Sequence, residues 1–224
     1  MTDQAIERIK EMIVSGELAP GDRLPPEKEL SERLGLSRNS LREAVKALEV
    51  SRVLDVRRGD GTYVTSLEPR LLLEAISFVI DLHDSRALLE IFAVRRALEA
   101  EATAIAAQRA TAEDVATLTA SIESVAGGSD IEALVEHDVM FHRHIIQLAG
   151  NQYLASLLEG LTSATLRARL WRGLTQEGAI ERTLTEHRAI TAAVEAGDVS
   201  LARSLATVHV AGVEAWVRRS GELV

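Results

Sequence analysis

The chain has 224 residues, 46% of them hydrophobic and 26% charged, a composition typical of a folded protein with one large or two smaller domains. It contains no cysteine, which excludes disulfides, cysteine-based metal sites and thiol nucleophiles and leaves six histidines and the carboxylates as metal ligands. No apolar run approaches the roughly 18 residues of a membrane span, and the first residues lack the basic and apolar segments of a signal peptide. We therefore expect a cytoplasmic protein without a membrane partner.

The net charge of −9 is distributed unevenly along the chain. Residues 1–66 carry 11 basic and 12 acidic side chains, whereas residues 67–224 carry 14 and 22. Within residues 33–58, 7 basic side chains face 3 acidic ones, a local excess of +4. Because the local field governs binding to a polyanion, the overall acidity does not exclude a nucleic-acid partner. All three lysines and three of the four prolines precede residue 67, so the composition predicts two domains, 1–66 and 67–224.

The first domain is predicted to contain three helices followed by two strands, the order of a winged helix-turn-helix. Glycine- and proline-containing turns separate the helices, and Ser37 is placed to cap the third. The strands alternate apolar and polar residues on either side of a glycine-containing turn. The predicted elements are a helix that ends before Gly16, a helix from Pro25 to Leu34, a helix from Ser37 through Leu48, and strands at 53–56 and 62–64.

The second domain has no strand pattern and is predicted to be an all-helical bundle, so the fold class is mainly α. Thr111-x-x-Asp114 and Ser129-x-x-Glu132 fit capping boxes, and Gly197 is placed to end one helix just before the next begins. Seven amphipathic helices are predicted, at about 68–82, 85–108, 112–126, 130–149, 152–172, 178–196 and 199–219.

The start of the third helix carries side chains that suit DNA recognition. Arg38, Asn39, Ser40 and Arg42 lie off the apolar stripe of that helix. Arginine can pair with guanine, asparagine with adenine, and serine with a phosphate. The wing tip at 57–59 is suited to the minor groove because glycine allows close backbone approach. The alternative is a solvated charged face, but this ordered combination favours DNA binding.

Four segments of the first domain together resemble the DNA-binding domain of the GntR family of bacterial transcription regulators. They are LPPEKEL at 24–30, LGLSRNSLREA at 34–44, LEV at 48–50 and RGDGTYV at 58–64. The resemblance implies operator contacts by Lys28, Arg38, Asn39, Ser40, Arg42, Arg58 and Gly59. The chain departs from the family pattern in two places. Lys28 stands where arginine is common, and residues 51–53 lack the usual glycine before an apolar pair, so the helix-to-strand turn is expected to differ slightly.

Four metal-capable side chains lie on the apolar stripes of three predicted helices in the second domain. Asp138 and His142 are spaced i and i+4 on one helix, and His187 and His209 lie on two others. Burial of an unpaired imidazole or carboxylate costs several kcal/mol, so a shared metal ion accounts for the set. A single buried histidine is more often a hydrogen-bonded core residue, but three with a carboxylate favour metal. The other histidines are predicted at the surface: His83, His137 and His144.

These positions also resemble the FadR-type C-terminal ligand-binding (FCD) domain in its metal-binding form. The matching segments are DVMFH at 138–142, EHRAI at 186–190, AGD at 196–198 and His209, so the resemblance extends over residues 4–219. Three histidines and one carboxylate suit zinc, and they also suit nickel, manganese or iron with coordination positions left open.

An open coordination position would accept a small carboxylate, and arginines of the bundle could supply its second partner. Arg95 lies where the family carries an arginine near its pocket, and Arg143 and Arg169 are further candidates. The alternative for Arg95 is a salt bridge with Glu99 at i+4. Sequence alone leaves these two roles open.

The predicted function is a homodimeric, ligand-responsive transcription regulator, with repression the family's commoner mode. It would bind an inverted-repeat operator in double-stranded DNA and respond to a small organic acid bound near the metal. Two alternatives are a regulator for which the metal itself is the signal and a metal-dependent hydrolase or lyase. An enzyme needs a general base, and Glu186, the evident candidate, should point away from the metal because adjacent helical positions diverge by about 100°. The prediction is therefore that the protein is not an enzyme.

Overall fold

The computed structural model describes residues 2–69, 71, 85–126 and 131–220. The chain forms two compact units, Met1–Leu72 and Leu73–Val224, which divide a few residues after the predicted boundary. The described elements are α1 Thr2–Val14, α2 Glu27–Leu34, α3 Arg38–Val50, β1 Leu54–Arg57, β2 Gly61–Val64, α4 Ser85–Arg109, α5 Ala112–Val125, α6 Ile131–Leu148, α7 Gln152–Thr175, α8 Ala179–Glu195 and α9 Val199–Ser220.

The N-terminal unit packs α1, α2, α3 and the hairpin around one apolar core, and the predicted winged helix-turn-helix is confirmed. Ile9, Leu30, Leu41, Leu54 and Val64 are each at most 2% exposed and belong to one cluster. Every element of the unit contributes a buried residue to this cluster. The hydrophobic contact therefore fixes the exposed face of α3 relative to the wing.

The turn of the helix-turn-helix follows the local signals in the sequence. Gly35 adopts a left-handed conformation with φ of 65°, and its amide donates to the last turn of α2. Ser37 then caps α3, since its hydroxyl oxygen accepts a hydrogen bond from the amide of Ser40 at 3.1 Å. These two features end α2 and start α3 within three residues of one another.

The wing is an antiparallel hairpin of β1 and β2. Its strands were predicted at 53–56 and 62–64, so three of the four strand ends differ from the prediction by one residue. Leu54 pairs with Val64 at the base, and Arg57 pairs with Gly61 next to the turn. The first strand was predicted at 53–56. It extends to Arg57 because that residue still has a pairing partner across the turn.

The C-terminal unit is all-helical over its described residues, as predicted. Both hydrogen bonds of the capping box between Thr111 and Asp114 are present, at 2.8 and 3.3 Å. Asp198 caps α9 by accepting from the amide of Leu201 at 2.9 Å. The predicted helix at 68–82 lies almost wholly outside the described residues, as do Ser129 and His83.

Helix α6 packs against α4, α5 and α7. Its Phe141 is buried with Leu118 and Ile122 of α5 and Ile190 of α8 in the largest apolar cluster described. Polar side chains on α6 that fall near this cluster are therefore removed from water. None of the described helices is long and apolar enough to cross a membrane.

Candidate metal centre and nucleic-acid interface

The predicted DNA-contacting residues all lie at the surface of the N-terminal unit. Ser40 is half-buried, and the other six are exposed. They come from three places, the start of α2, the start of α3 and the turn between β1 and β2: Lys28, Arg38, Asn39, Ser40, Arg42, Arg58 and Gly59. A surface of this kind can contact both a groove and the adjacent phosphates.

The basic side chains of this unit differ in whether a carboxylate already holds them. Arg42 donates to Glu27 at 2.7 Å, Lys46 to Glu43 at 3.0 Å, and Arg57 to Asp55 at 2.9 Å, and Arg33 pairs with Glu17. Among the basic residues predicted to contact DNA, three have no carboxylate within ion-pairing distance in the described ranges: Lys28, Arg38 and Arg58. Their charges are free to meet phosphate.

The wing tip separates two neighbouring arginines. Arg57 stays on β1, where its guanidinium lies 4.3 Å from the centre of the Tyr63 ring and bonds Asp55. Arg58 lies in the turn, next to Gly59 with φ of 77°. Of these two arginines, Arg57 is therefore the one held by neighbouring side chains of the hairpin.

The four predicted metal ligands come together inside the C-terminal unit. Asp138 and His142 of α6, His187 of α8 and His209 of α9 are all buried, and one ligand atom from each lies within 4.8 Å of the other three. Helical periodicity placed each on a core-facing stripe. The packing of α6, α8 and α9 brings the stripes together.

The distances inside this cluster suit a bound metal ion. His142 Nε2 lies 3.2 Å from His209 Nε2 and 3.5 Å from Asp138 Oδ1, and His187 Nε2 lies 3.6 Å from the same Asp138 oxygen. Ligands about 2.0–2.1 Å from a tetrahedral zinc ion are about 3.3 Å apart. His187 Nε2 is also fully buried without a hydrogen-bond partner. A metal ion would satisfy that nitrogen, so the residues present fit one.

The outer nitrogen of each histidine is held by a second side chain. His142 Nδ1 lies 3.1 Å from Glu99, His209 Nδ1 lies 2.7 Å from Glu186, and His187 Nδ1 lies 3.0 Å from His137 Nε2. All three Nε2 atoms therefore face the centre of the cluster. Such partners fix the tautomer and orientation of metal-binding histidines. Glu186 contacts the far side of His209, so it is not a base directed at the metal.

The prediction that His137 lies at the surface was wrong. It is 4% exposed, and its Nδ1 lies 2.8 Å from Ser121 Oγ of α5. The side of α6 that carries His137 is covered because α5 and α8 both reach it, which periodicity within α6 cannot reveal. His144 is half-buried, with its Nε2 3.6 Å from Asp114.

Buried charges balance one another around the cluster. Burial raises the pKa of Glu99, but Arg95 and His142 outweigh it and hold that pKa below its usual range. Burial lowers the pKa of His142, but Glu99 and Asp138 outweigh it and raise the pKa to about 9. A metal ion would displace the proton that His142 otherwise carries at neutral pH.

The arginines predicted for an organic acid occupy three different environments. Arg169 is largely buried and pairs with Asp138, whereas Arg143 is half-exposed with its Nε 3.7 Å from Glu159. Arg95 is 1% exposed and donates to Glu99 at 2.7 Å and to Thr165. Arg95 therefore forms the salt bridge with Glu99 that the sequence offered as the alternative to a role in binding the acid.

A cavity of about 30 Å³ adjoins the cluster, and it is lined by Asp138, His209, Arg169 and a residue that the sequence analysis missed, Arg172. Arg172 is 3% exposed, and burial lowers its pKa. Its Nε donates to Gln176 at 2.8 Å, and in the described part of the chain no carboxylate lies within ion-pairing distance. A buried arginine of this kind is a suitable partner for an anion.

Comparison with known proteins covers both units. Residues 1–64 match the family described as bacterial regulatory proteins, gntR family, and residues 90–212 match the FCD domain. The galactonate operon transcriptional repressor of Escherichia coli is 30% identical over an alignment of length 219 that covers 94% of this chain and 93% of that protein. The putative L-lactate dehydrogenase operon regulatory protein of the same organism is 28% identical, over 99% of this chain and 88% of its own length.

A solved structure agrees with these matches. Streptococcus agalactiae GntR has a TM-score of 0.69 and 27% identity, and the alignment covers 96% of this chain and all of that one. These relatives are transcription regulators and not enzymes.

Proposed function

We propose that this chain, a member of the GntR family of bacterial regulatory proteins with an FCD domain, is a repressor. A small organic acid would control its binding to DNA. A homodimer would bind an inverted-repeat operator, one N-terminal unit on each half-site. The acid would bind beside a metal ion in the C-terminal unit and lower operator affinity. Operator DNA lies in the bacterial cytoplasm, where such a regulator acts.

One observation carries the effector half of this proposal. Arg172 is buried, lacks a carboxylate partner within the described residues, and lines the cavity next to Asp138 and His209. The cavity has room for about two water molecules, which is the size of one carboxylate group. The rest of the acid would fit only if the cavity, which Gly173 and Thr183 also line, widens when the acid binds.

The relatives support an acid that carries hydroxyl groups. Their names refer to operons for galactonate and for L-lactate dehydrogenase. Galactonate and lactate share a carboxylate with a hydroxyl group on the next carbon. We propose this hydroxy-acid class for the effector.

Zinc is the proposed metal, because three imidazoles and one carboxylate at these separations suit tetrahedral coordination. Nickel, manganese and iron are the alternatives. The cluster would be held by Asp138, His142, His187 and His209. When bound, the metal would supply a positive charge that attracts the acid's carboxylate.

The proposal is tested by selecting bound duplexes from a random-sequence library and then measuring the affinity for the enriched duplex with and without galactonate or lactate. We expect an inverted repeat and a weaker complex when the effective acid is present. Absence of any enriched sequence would contradict the proposal. If removal of the metal changes operator affinity and no acid does, the metal-responsive alternative is correct.

Arg42→Ala is expected to weaken binding to the enriched duplex by about tenfold or more, because a bidentate base contact is lost. Binding to unselected DNA should change much less. Fluorescence anisotropy with both duplexes measures this difference, and circular dichroism checks the fold. An unchanged affinity for the enriched duplex would remove Arg42 from the reading surface.

Arg172→Met is expected to raise the acid concentration that half-releases the operator by about tenfold or more, because a charge-assisted pair with the carboxylate is lost. Operator affinity without acid and metal content should stay as in the wild type. Arg143→Met is the matched control, since Arg143 is half-exposed and lies near Glu159. Equal shifts in the two variants would contradict the role of Arg172.

A further inference from the structure

The guanidinium of Arg42 is bound to a residue of the preceding helix. Its Nε donates to Oε2 of Glu27 at 2.7 Å, and Glu27 is the first residue of α2. The bond joins the two helices of the helix-turn-helix motif. Lys46 and Glu43, by contrast, form a pair within α3 itself at 3.0 Å.

Glu27 is the better-anchored member of this pair. Pro26 precedes it with φ of −53°, and Leu30, one turn further along α2, is 1% exposed. The Glu27 side chain is 36% exposed, against 63% for Arg42. The carboxylate also lies at the N-terminus of α2, where the helix dipole favours a negative charge. Glu27 can therefore hold Arg42 against rotation.

This bond leaves one particular edge of the guanidinium available to a ligand. Arginine has five N–H donors in a rigid plane, and a bidentate contact needs two of them side by side. With Nε occupied by Glu27, the remaining bidentate edge consists of the two terminal amino groups, Nη1 and Nη2. Such an edge matches the two acceptors of guanine in the major groove.

We propose that Glu27 is a positioning residue that holds Arg42 so that Nη1 and Nη2 meet a guanine in each operator half-site. This inference rests on the proposed function, in which Arg42 reads the operator. Without Glu27, the long side chain of Arg42 would sample many rotamers and could meet any nearby phosphate. Glu27 would then increase discrimination between sequences and decrease binding to arbitrary DNA.

The test uses full-length Glu27→Ala with the duplex that the wild-type protein enriches and an unselected duplex of the same length. We expect the ratio of the two affinities to fall by about tenfold, the value of one base contact. Selection with this variant should lose a guanine at the same half-site position that Arg42→Ala loses. Adding Glu27→Ala to Arg42→Ala should lower the ratio no further.

Two variants separate positioning from charge and from stability. Glu27→Gln keeps an oxygen that can accept from Arg42 Nε, so it should retain most of the wild-type ratio even though one negative charge is removed. Glu43→Ala removes a carboxylate from the residue next to Arg42, and it should raise the affinities for both duplexes together and leave their ratio unchanged.

The inference is overturned if Glu27→Ala folds and retains the guanine preference with both affinities changed equally, as in Glu43→Ala. It is also overturned if the losses from Glu27→Ala and Arg42→Ala add. If wild-type protein enriches no sequence, the proposed function fails. If Arg42→Ala loses the guanine and Glu27→Ala keeps it, the positioning role alone fails.

Discussion

Replacement of His187 and His209 together by alanine is expected to reduce the bound metal from about one ion per chain to almost none. The two histidines belong to α8 and α9, whereas the remaining ligands, Asp138 and His142, both belong to α6. The variant would leave a metal only two ligands from one helix, and water would have to complete its coordination. Elemental analysis after dialysis measures the metal content and identifies the ion.

The same variant should also lose the stabilisation that the metal provides. Because the ligands come from three helices, a bound ion resists their separation, and a ligand present at a thousandfold excess over its Kd stabilises a protein by about 4 kcal/mol. Thermal unfolding of the wild type should therefore depend on a chelator, and unfolding of the variant should not. His144→Ala is the control, since His144 contacts Asp114 instead of the cluster. Retention of one ion per chain by the double variant would refute the site.

Helical periodicity was sufficient to predict the burial of the four candidate ligands because each belongs to a stripe that faces a core. Asp138 and His142 are one turn apart, and His187 and His209 repeat with the apolar residues of their own helices. A stripe is a property of one helix, so it can be derived from local spacing. The distances between ligands on different helices depend on how the helices pack, which local spacing does not determine.

The residues that support the ligands could not be predicted in the same way. Glu99 reaches His142 from α4, and Ser121 reaches His137 from α5. Each contact depends on which helix lies beside α6 and at which height. A partial indication was present in the sequence only for Glu186, which is adjacent to His187. Its bond is to His209 instead, so it crosses from α8 to α9. Adjacency to His187 therefore drew attention to Glu186 without indicating that His209 is the residue it binds.

Arg172 was missed because it looks like an ordinary basic residue in the last turn of a helix. Positive side chains are common there, since they interact favourably with the helix dipole. Its 3% exposure arises from the packing of α7 against its neighbours. The winged domain was easier to predict, because Gly35, Ser37 and the wing glycines fix its turns locally.

Arg95→Ala is expected to lower the free energy of unfolding of the C-terminal unit by about 3–5 kcal/mol, because it leaves a buried carboxylate without its main counter-charge. The side chains of Arg95 and Glu99 are 2% and 3% exposed. Thr165 would also lose its charged partner. With Arg95 absent, burial raises the pKa of Glu99, and this residue would hold the Nδ1 proton of His142 less firmly. Metal affinity should therefore fall by about 10–100-fold as well.

The matched control is Arg96→Ala, one residue further along α4. Arg96 is 41% exposed and lies 3.3 Å from Glu214, which keeps Arg218 at 2.8 Å when Arg96 is removed. Its loss should cost less than about 1 kcal/mol. Urea unfolding of metal-free protein compares the two variants directly, and equal losses would show that Arg95 does not act through a buried charge. Arg95→Met combined with Glu99→Gln should recover part of the lost stability, because the pair then contains no uncompensated charge while glutamine can still accept a hydrogen bond from His142.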